Sequence, residues 1–277
     1  MEKYNYAVAV ITAVRTETAG FKRQYRTWKP VAFDGDEQEY YETEFTREGR
    51  TYRLVTAQQR EMGMPAAVSL CHKLSEHFRP RYLIMTGIAA GIGAEQIYGD
   101  VIVPDVVWNY SGGKFVSAEK AGIQFGAVGF LPRPTRLALS PWVKELVEKV
   151  AKAPDNECHV HIGPMACGDA VVSNSEVVDK QVKAQLPQTA GLDMESYGVF
   201  YAARDAANPK PEPIVIKSIC DYADEQKSDQ YQKFAAYTSS EFARLLYEKY
   251  LPFDELDADQ DTDENINGNT DRKEQEN

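Results

Sequence analysis

The run Ile214-Val215-Ile216-Lys217-Ser218-Ile219-Cys220-Asp221 decides how the chain folds. Ile214 to Ile219 reads as a core strand: its lead-in, Ile214-Val215-Ile216, is apolar and β-branched. It ends on a carboxylate, Asp221. Ala190-Gly191-Leu192-Asp193-Met194, followed by Glu195-Ser196, repeats the pattern. Open α/β sheets gather ligands outside the carboxyl ends of their strands. Acids delivered there are candidate functional groups.

Working outward, Tyr6 to Thr12 is a buried strand and Thr16 to Arg26 a helix. Tyr40 to Thr46 and Thr51 to Ala57 are paired strands around the turn Arg47-Glu48-Gly49-Arg50. Pro65 to His77 is a helix opened by proline. Arg81 to Thr86 is a core strand running into Gly87-Ile88-Ala89-Ala90-Gly91-Ile92-Gly93, which reads as a close-approach turn. Asp100 to Trp108 and His159 to Met165 are further strands. Ser140 to Ala153 is a helix capped by Ser140. Helices follow at Ser175–Gln185, Ser196–Ala207 and Asp229–Tyr250, the last ended by Pro252. Strands alternating with helices imply a three-layer α/β fold with a mixed, mostly parallel central sheet flanked by helices. The expected organisation is one catalytic domain over residues 1–252 and an acidic, disordered tail over 253–277.

The net charge is −11, but residues 254–277 hold ten acids and two bases and account for −8 of it. The body is near neutral, which excludes a bulk basic surface for nucleic acid. The tail lacks the apolar periodicity to pack; it reads as a solubilising segment, with docking to a protein partner as the alternative. No apolar run is long enough to span a bilayer. The first residues, Met1 to Tyr6, enter a strand pattern without a signal-peptide core, and Cys71, Cys158, Cys167 and Cys220 show no CxxC spacing. The expectation is a cytoplasmic protein with reduced thiols.

Several motifs, each weak alone, occur in one order: Ala13-Val14-Arg15-Thr16-Glu17, Met62-Gly63-Met64-Pro65, Thr86-Gly87-Ile88-Ala89-Ala90-Gly91, Gly99-Asp100-Val101-Ile102-Val103, Gly168-Asp169-Ala170, Asp193-Met194-Glu195-Ser196 and Ser218-Ile219-Cys220-Asp221. In this order they resemble the nucleoside phosphorylase and nucleosidase superfamily, nearest its methylthioadenosine/S-adenosylhomocysteine nucleosidase branch. The resemblance covers about residues 6 to 250. It implies a phosphorylase/hydrolase-like fold and cleavage of a purine base from ribose, a reaction passing through an oxocarbenium-like sugar.

The resemblance also implies roles. Asp221 is the general acid at purine N7, and its apolar lead-in fits a raised pKa. Glu195 accepts hydrogen bonds from the two ribose hydroxyls, Met194 packs on the sugar, and Glu17 takes the proton from the attacking water. Met62, Gly63, Ile88, Ala89, Val171 and Val172 complete the binding set. The phosphorylases carry Arg where this chain has Thr86, so water is the expected nucleophile, with phosphorolysis or a catalytically weak nucleotide sensor as alternatives. Val171-Val172 stands where the nearest nucleosidases keep a stacking aromatic residue, and Ile88 where they keep Ser. Relatives acting on adenine nucleotides such as ATP or AMP need cations near the 5′ end, for which Arg15, Arg60 and Lys114 are candidates. A homo-oligomer is expected, and no cofactor.

Read without the resemblance, each acid has an ordinary alternative: Asp221 as a turn residue, Glu195 and Glu17 as first-turn helix acids. His159-Val160-His161 places two imidazoles on one strand face. No third ligand follows at metal spacing, so they read as structural and no metal is expected.

Overall fold

Every residue of β1 (Tyr6–Thr12) is buried, as an unalternating apolar run requires. The computed structural model describes residues 3–117, 120 and 128–256. Within it β1 lies between two parallel neighbours, β4 (Arg50–Gln58) and β5 (Pro80–Gly91). β4 is one arm of the expected hairpin with β3 (Asp36–Arg47). Its turn residues Glu48 and Gly49 both have positive φ, which matches the strands' right-handed twist. The edge strand β2 (Lys29–Phe33) extends this hairpin and was not legible beforehand.

On the other side of β5 lies β14 (Glu212–Asp221), parallel and in register from Glu212↔Tyr82 to Ile219↔Ala89. The last residues of β5 pair with β13 (Gly191–Asp193), which runs antiparallel to it. The sheet continues through β12 (Met165–Cys167), β7 (Val106–Asn109) and β10 (Arg136–Ala138). β6 (Val101–Val103) joins β14 and pairs with β11 (Val160–Ile162). Among the described residues this makes a twelve-stranded mixed sheet whose centre, β4-β1-β5-β14, is parallel. β8 (Gly113–Ser117) and β9 (Val128–Pro132) form a separate ribbon.

Helices α1 (Arg15–Lys22) and α6 (Gln232–Leu245) pack together against β5, and α2 (Met64–Phe78) packs on α5 (Ser196–Asp205). The second pair crosses closely because residue 198 is glycine: a Cβ there would lie 2.7 Å from the Met64 carbonyl oxygen. α3 (Pro141–Ala151) contacts the π-helical turn Leu246–Tyr250 that follows α6. α4 (Ser175–Val177), capped by the Asn174 side chain, continues as a π-helix over Val178–Lys183.

Several expectations are corrected. The stretch 100–108 is two strands, β6 and β7, broken at Pro104, and 159–165 contributes to two strands, β11 and β12, broken at Gly163-Pro164. Proline donates no ladder hydrogen bond and so tends to end or interrupt a central strand. Gly87 to Gly91 is not a turn: β14 and β13 claim its backbone and hold it in β5. Ser140 is the N-cap residue of α3, as expected, but its side chain makes no capping bond; its hydroxyl donates to Glu212 Oε1 at 2.6 Å. Phe253, just past the expected boundary at 252/253, packs on the domain: it is buried, with its ring 4.6 Å from Tyr52 and 5.7 Å from Tyr82. The rest of the acidic tail, 257–277, lies outside the described residues.

Candidate functional site

A cavity of about 330 Å³ opens where β1, β5, β13 and β14 end. Glu17, Met62, Ile88, Ala89, Val171, Val172, Met194, Glu195 and Asp221 all line it, although they come from distant parts of the chain. Its volume lies within the range of small-molecule sites. Gly63 is outside the wall but supports it, its N–H donating to Glu195 Oε1 at 2.9 Å. Thr86 is fully buried behind the wall.

Glu17 stands in the first turn of α1, just past the end of β1. Its Oε2 accepts the N–H groups of Ala13 at 2.6 Å and Val14 at 3.0 Å; its Oε1 accepts that of Ile88 at 2.8 Å. The carboxylate occupies the space that a side chain at Gly87 would fill: a Cβ there would come within 2.6 Å of the Glu17 carboxyl carbon. Burial raises the Glu17 pKa, opposed by the charge of Lys217. A carboxylate shifted upward is a better proton acceptor near neutral pH.

Lys217 is in register with Gly87 on β14 and is fully buried. Its ammonium lies 3.3 Å from Glu195 Oε2 and 3.6 Å from Asp193 Oδ2. Burial works against its charge, but attraction to Glu195, Glu17 and Asp193 overrides that and raises its pKa. Asp193 accepts from the backbone N–H and the hydroxyl of Ser196, fixing the start of α5, and burial raises its pKa too. Glu195 completes its shell with Gln59 Nε2 at 3.5 Å. The sequence reading missed Lys217 as a site residue because it lies inside an apolar run that reads only as core.

Asp221 is 4% exposed. The apolar lead-in is there, yet the carboxylate is not isolated. Oδ1 accepts the Ala223 N–H at 2.9 Å, Oδ2 lies 3.2 Å from Cys220 Sγ, and the Lys227 ammonium pairs with Oδ2. Lys227 also lines the cavity, as do Asp229 and Gln232. These were missed because a lysine in a polar loop reads as solvated surface.

The cation candidates divide. Arg15 and Arg60 line a second cavity of about 400 Å³ together with Lys22 and Gln59. Gln59 connects the two sites through its bond to Glu195. Arg60 also pairs with Glu37 at 3.5 Å. Lys114 lies on β8 and lines neither cavity. The four cysteines carry free thiols. Among the described residues no helix is long and apolar enough to cross a membrane.

The model of the Phosphorylase superfamily matches residues 7–251. An uncharacterized protein of Sinorhizobium fredii, y4jS, is 31% identical over 239 residues, which are 81% of this chain and 56% of that protein. A death domain-containing ATP nucleosidase of Amphimedon queenslandica is 29% identical over 66% of this chain and 36% of its own length. The chain thus spans about half or less of these two relatives. The crystal structure of 5′-methylthioadenosine/S-adenosylhomocysteine nucleosidase from Neisseria meningitidis, in complex with methylthio-immucillin-A, superposes with a TM-score of 0.68. It is 24% identical and covers 86% of this chain and 96% of that one, a likeness of fold.

Proposed function

The chain belongs to the phosphorylase superfamily, and from that membership we propose that it hydrolyses the bond between adenine and ribose in a nucleoside or nucleotide. The observation that carries this is the convergence of Glu17, Glu195 and Asp221 on one cavity of about 330 Å³. In the proposed reaction Glu195 accepts hydrogen bonds from the ribose hydroxyls, an arrangement that suits an ionised carboxylate. Met194 packs against the sugar. As the C1′–N9 bond breaks, the base takes a proton at N7 from the protonated Asp221 carboxyl group, and the Lys227 ammonium stabilises the carboxylate left behind. Water adds to C1′ and gives its proton to Glu17. Adenine is the base that the ATP nucleosidase and methylthioadenosine nucleosidase relatives release by name.

Charge favours water over phosphate. A phosphate dianion beside Glu17 would face the carboxylates of Glu17, Asp193 and Glu195 with Lys217 as their buried counter-ion. Like charges in a low-dielectric wall repel strongly, whereas neutral water carries no such penalty. Arg15, Lys22 and Arg60, which outnumber Glu37 and Glu39 in the second cavity, support a phosphorylated 5′ end. Met62 and Val171, exposed at the cavity mouth, support closure by a second copy of the chain. Light scattering that finds a fully active monomer would remove that last element.

The test is chromatography of ATP, AMP, adenosine, methylthioadenosine and S-adenosylhomocysteine after incubation in phosphate-free buffer. Free adenine is expected from at least one. Glu17→Gln and Asp221→Asn are each expected to slow release by about a hundredfold or more. No adenine from any substrate, or release that requires phosphate and yields a ribose 1-phosphate, overturns the proposal.

A further inference from the structure

We propose that Asp100, His159 and His161 form a binding site for one divalent transition-metal ion of the zinc class, separate from the nucleoside cavity. Asp100 immediately precedes β6 and His159 immediately precedes β11. Because these strands pair in parallel (Val160↔Val101, His161↔Ile102), they bring the carboxylate and both imidazoles to one end of the sheet. His159 Nδ1 lies 3.1 Å from Asp100 Oδ2 and His161 Nε2 lies 2.7 Å from the same oxygen; the three ligand atoms are within 4.8 Å of one another.

The spacing suits a small tetrahedral ion. Zinc bonds of about 2.0–2.1 Å to nitrogen and oxygen set ligand atoms about 3.3 Å apart along a tetrahedral edge. Against that length the 3.1 Å edge from His159 is short by about 0.2 Å and the 2.7 Å edge from His161 by about 0.6 Å, which side-chain rotation can supply. Two imidazoles and one carboxylate select zinc, cobalt, nickel or copper over magnesium or calcium, which take oxygen ligands. The anchor is preorganised: Asp100 is 4% exposed, and its Oδ2 also accepts the Ile97 N–H at 3.1 Å. The His159 side chain is 66% exposed, so an ion reaches the site from solvent. When the metal binds, each neutral imidazole carries its proton on its other ring nitrogen, leaving the facing nitrogen free as a ligand.

The site has a mechanical connection to the sheet. Asp100 O accepts the Ile219 N–H at 2.9 Å, and the Gly99 N–H donates to Ile219 O at 2.9 Å. Ile219 lies two residues before Asp221. A metal would clasp β6 to β11 at the point where β14 delivers that acid.

The experiment uses untagged full-length protein freed of metal by dialysis against a chelator. Zn²⁺ is titrated in competition with a chromophoric chelator, and Co²⁺ is read by visible absorption. The parent is expected to bind one Zn²⁺ per chain with a dissociation constant of about 1 μM or tighter, to show a cobalt band, and to melt at a higher temperature with Zn²⁺. His159→Gln and His161→Gln are each expected to weaken binding by about tenfold or more, since even outer-shell losses at metal sites cost about that much. The exposure of His159 makes its substitution safe for folding. His77→Gln, at the remote Asp36 cluster, is the control and leaves binding unchanged. Failure of the parent to bind Zn²⁺ stoichiometrically, or parent-like binding by both His159→Gln and His161→Gln, overturns the proposal. The readouts are independent of base release.

Discussion

Gly87→Ala tests the geometry of the site without removing any functional group. The new Cβ would lie 2.6 Å from the Glu17 carboxyl carbon, whereas carbon atoms rest comfortably at about 3.5–4.0 Å. The carboxylate must therefore retreat by about 1 Å. The 2.8 Å bond from the Ile88 N–H would then stretch beyond hydrogen-bonding range. Leaving that buried donor and acceptor unpaired costs about 1–3 kcal/mol of stability. A displacement of about 1 Å at a reacting group costs about a hundredfold in rate. The expected result is a kcat lowered about a hundredfold with KM nearly unchanged, because Glu17 is not proposed to hold the ribose. Adenine release measured by chromatography, with a thermal melt on the same sample, reads both effects. Glu17→Asp shortens the side chain by one carbon–carbon bond, about 1.5 Å, and so makes room for the methyl group. The double variant is expected to be more active than the product of the two single losses, with a coupling of about 1 kcal/mol or more. Base release by Gly87→Ala within about threefold of the parent, or strict additivity in the double variant, would refute the placement of Glu17.

Lys217→Met leaves Glu17, Asp193 and Glu195 without the buried cation they share, and it is expected to cost about 3–5 kcal/mol in urea unfolding; Lys217→Arg, which keeps the charge, should recover most of it. Lys227→Met is expected to reduce kcat by about tenfold or more while the melting temperature holds, because its ammonium serves the cavity and is not deep in the core. Asp36 accepts from Lys73 at 2.5 Å and Tyr40 at 2.6 Å. Burial opposes its ionisation, but these partners win and hold its pKa below the ordinary 3.8. The stability this contributes is present above pH 3.8 and is lost as pH falls toward the lowered value. Asp36→Asn should therefore melt lower at pH 7, and the gap should narrow below pH 3.8. Arg79, which ends α2 at φ 44°, sits in a region that disfavours side chains, so Arg79→Gly should gain up to about 1 kcal/mol in urea unfolding.

The central strands were legible because burial on both faces writes itself as an apolar run, unbroken over Tyr6–Ile11 in β1 and interrupted by Lys217-Ser218 in β14. Acids that end such runs, Asp221 and Asp193-Met194-Glu195, announced the site. Three kinds of feature were not legible. Short peripheral pieces such as β2 and β8 have largely exposed patterns that a loop can share. Proline breaks inside apolar runs were read through. Contacts set by strand pairing were invisible: Asp100 meets His159 and His161 across about sixty residues because β6 and β11 are neighbours. Searching downstream of the histidines for a third group could not find one that lies upstream.

Lys217 shows most directly how strand register converts sequence into chemistry. In β14 it stands opposite Gly87 of β5. A charged residue in a buried strand is tolerable only if partners meet it there, and the missing side chain at Gly87 leaves room for Glu17 to approach from α1. Glu195 and Asp193 arrive from the end of β13 and supply the remaining charge. Glycine, lysine and glutamate, from three distant segments, thus form one electrostatic unit. Its excess of carboxylates over cations makes a wall suited to accepting a proton from water and hostile to an anionic nucleophile. A phosphorylase built on this sheet would need that balance reversed, with cations facing the bound anion.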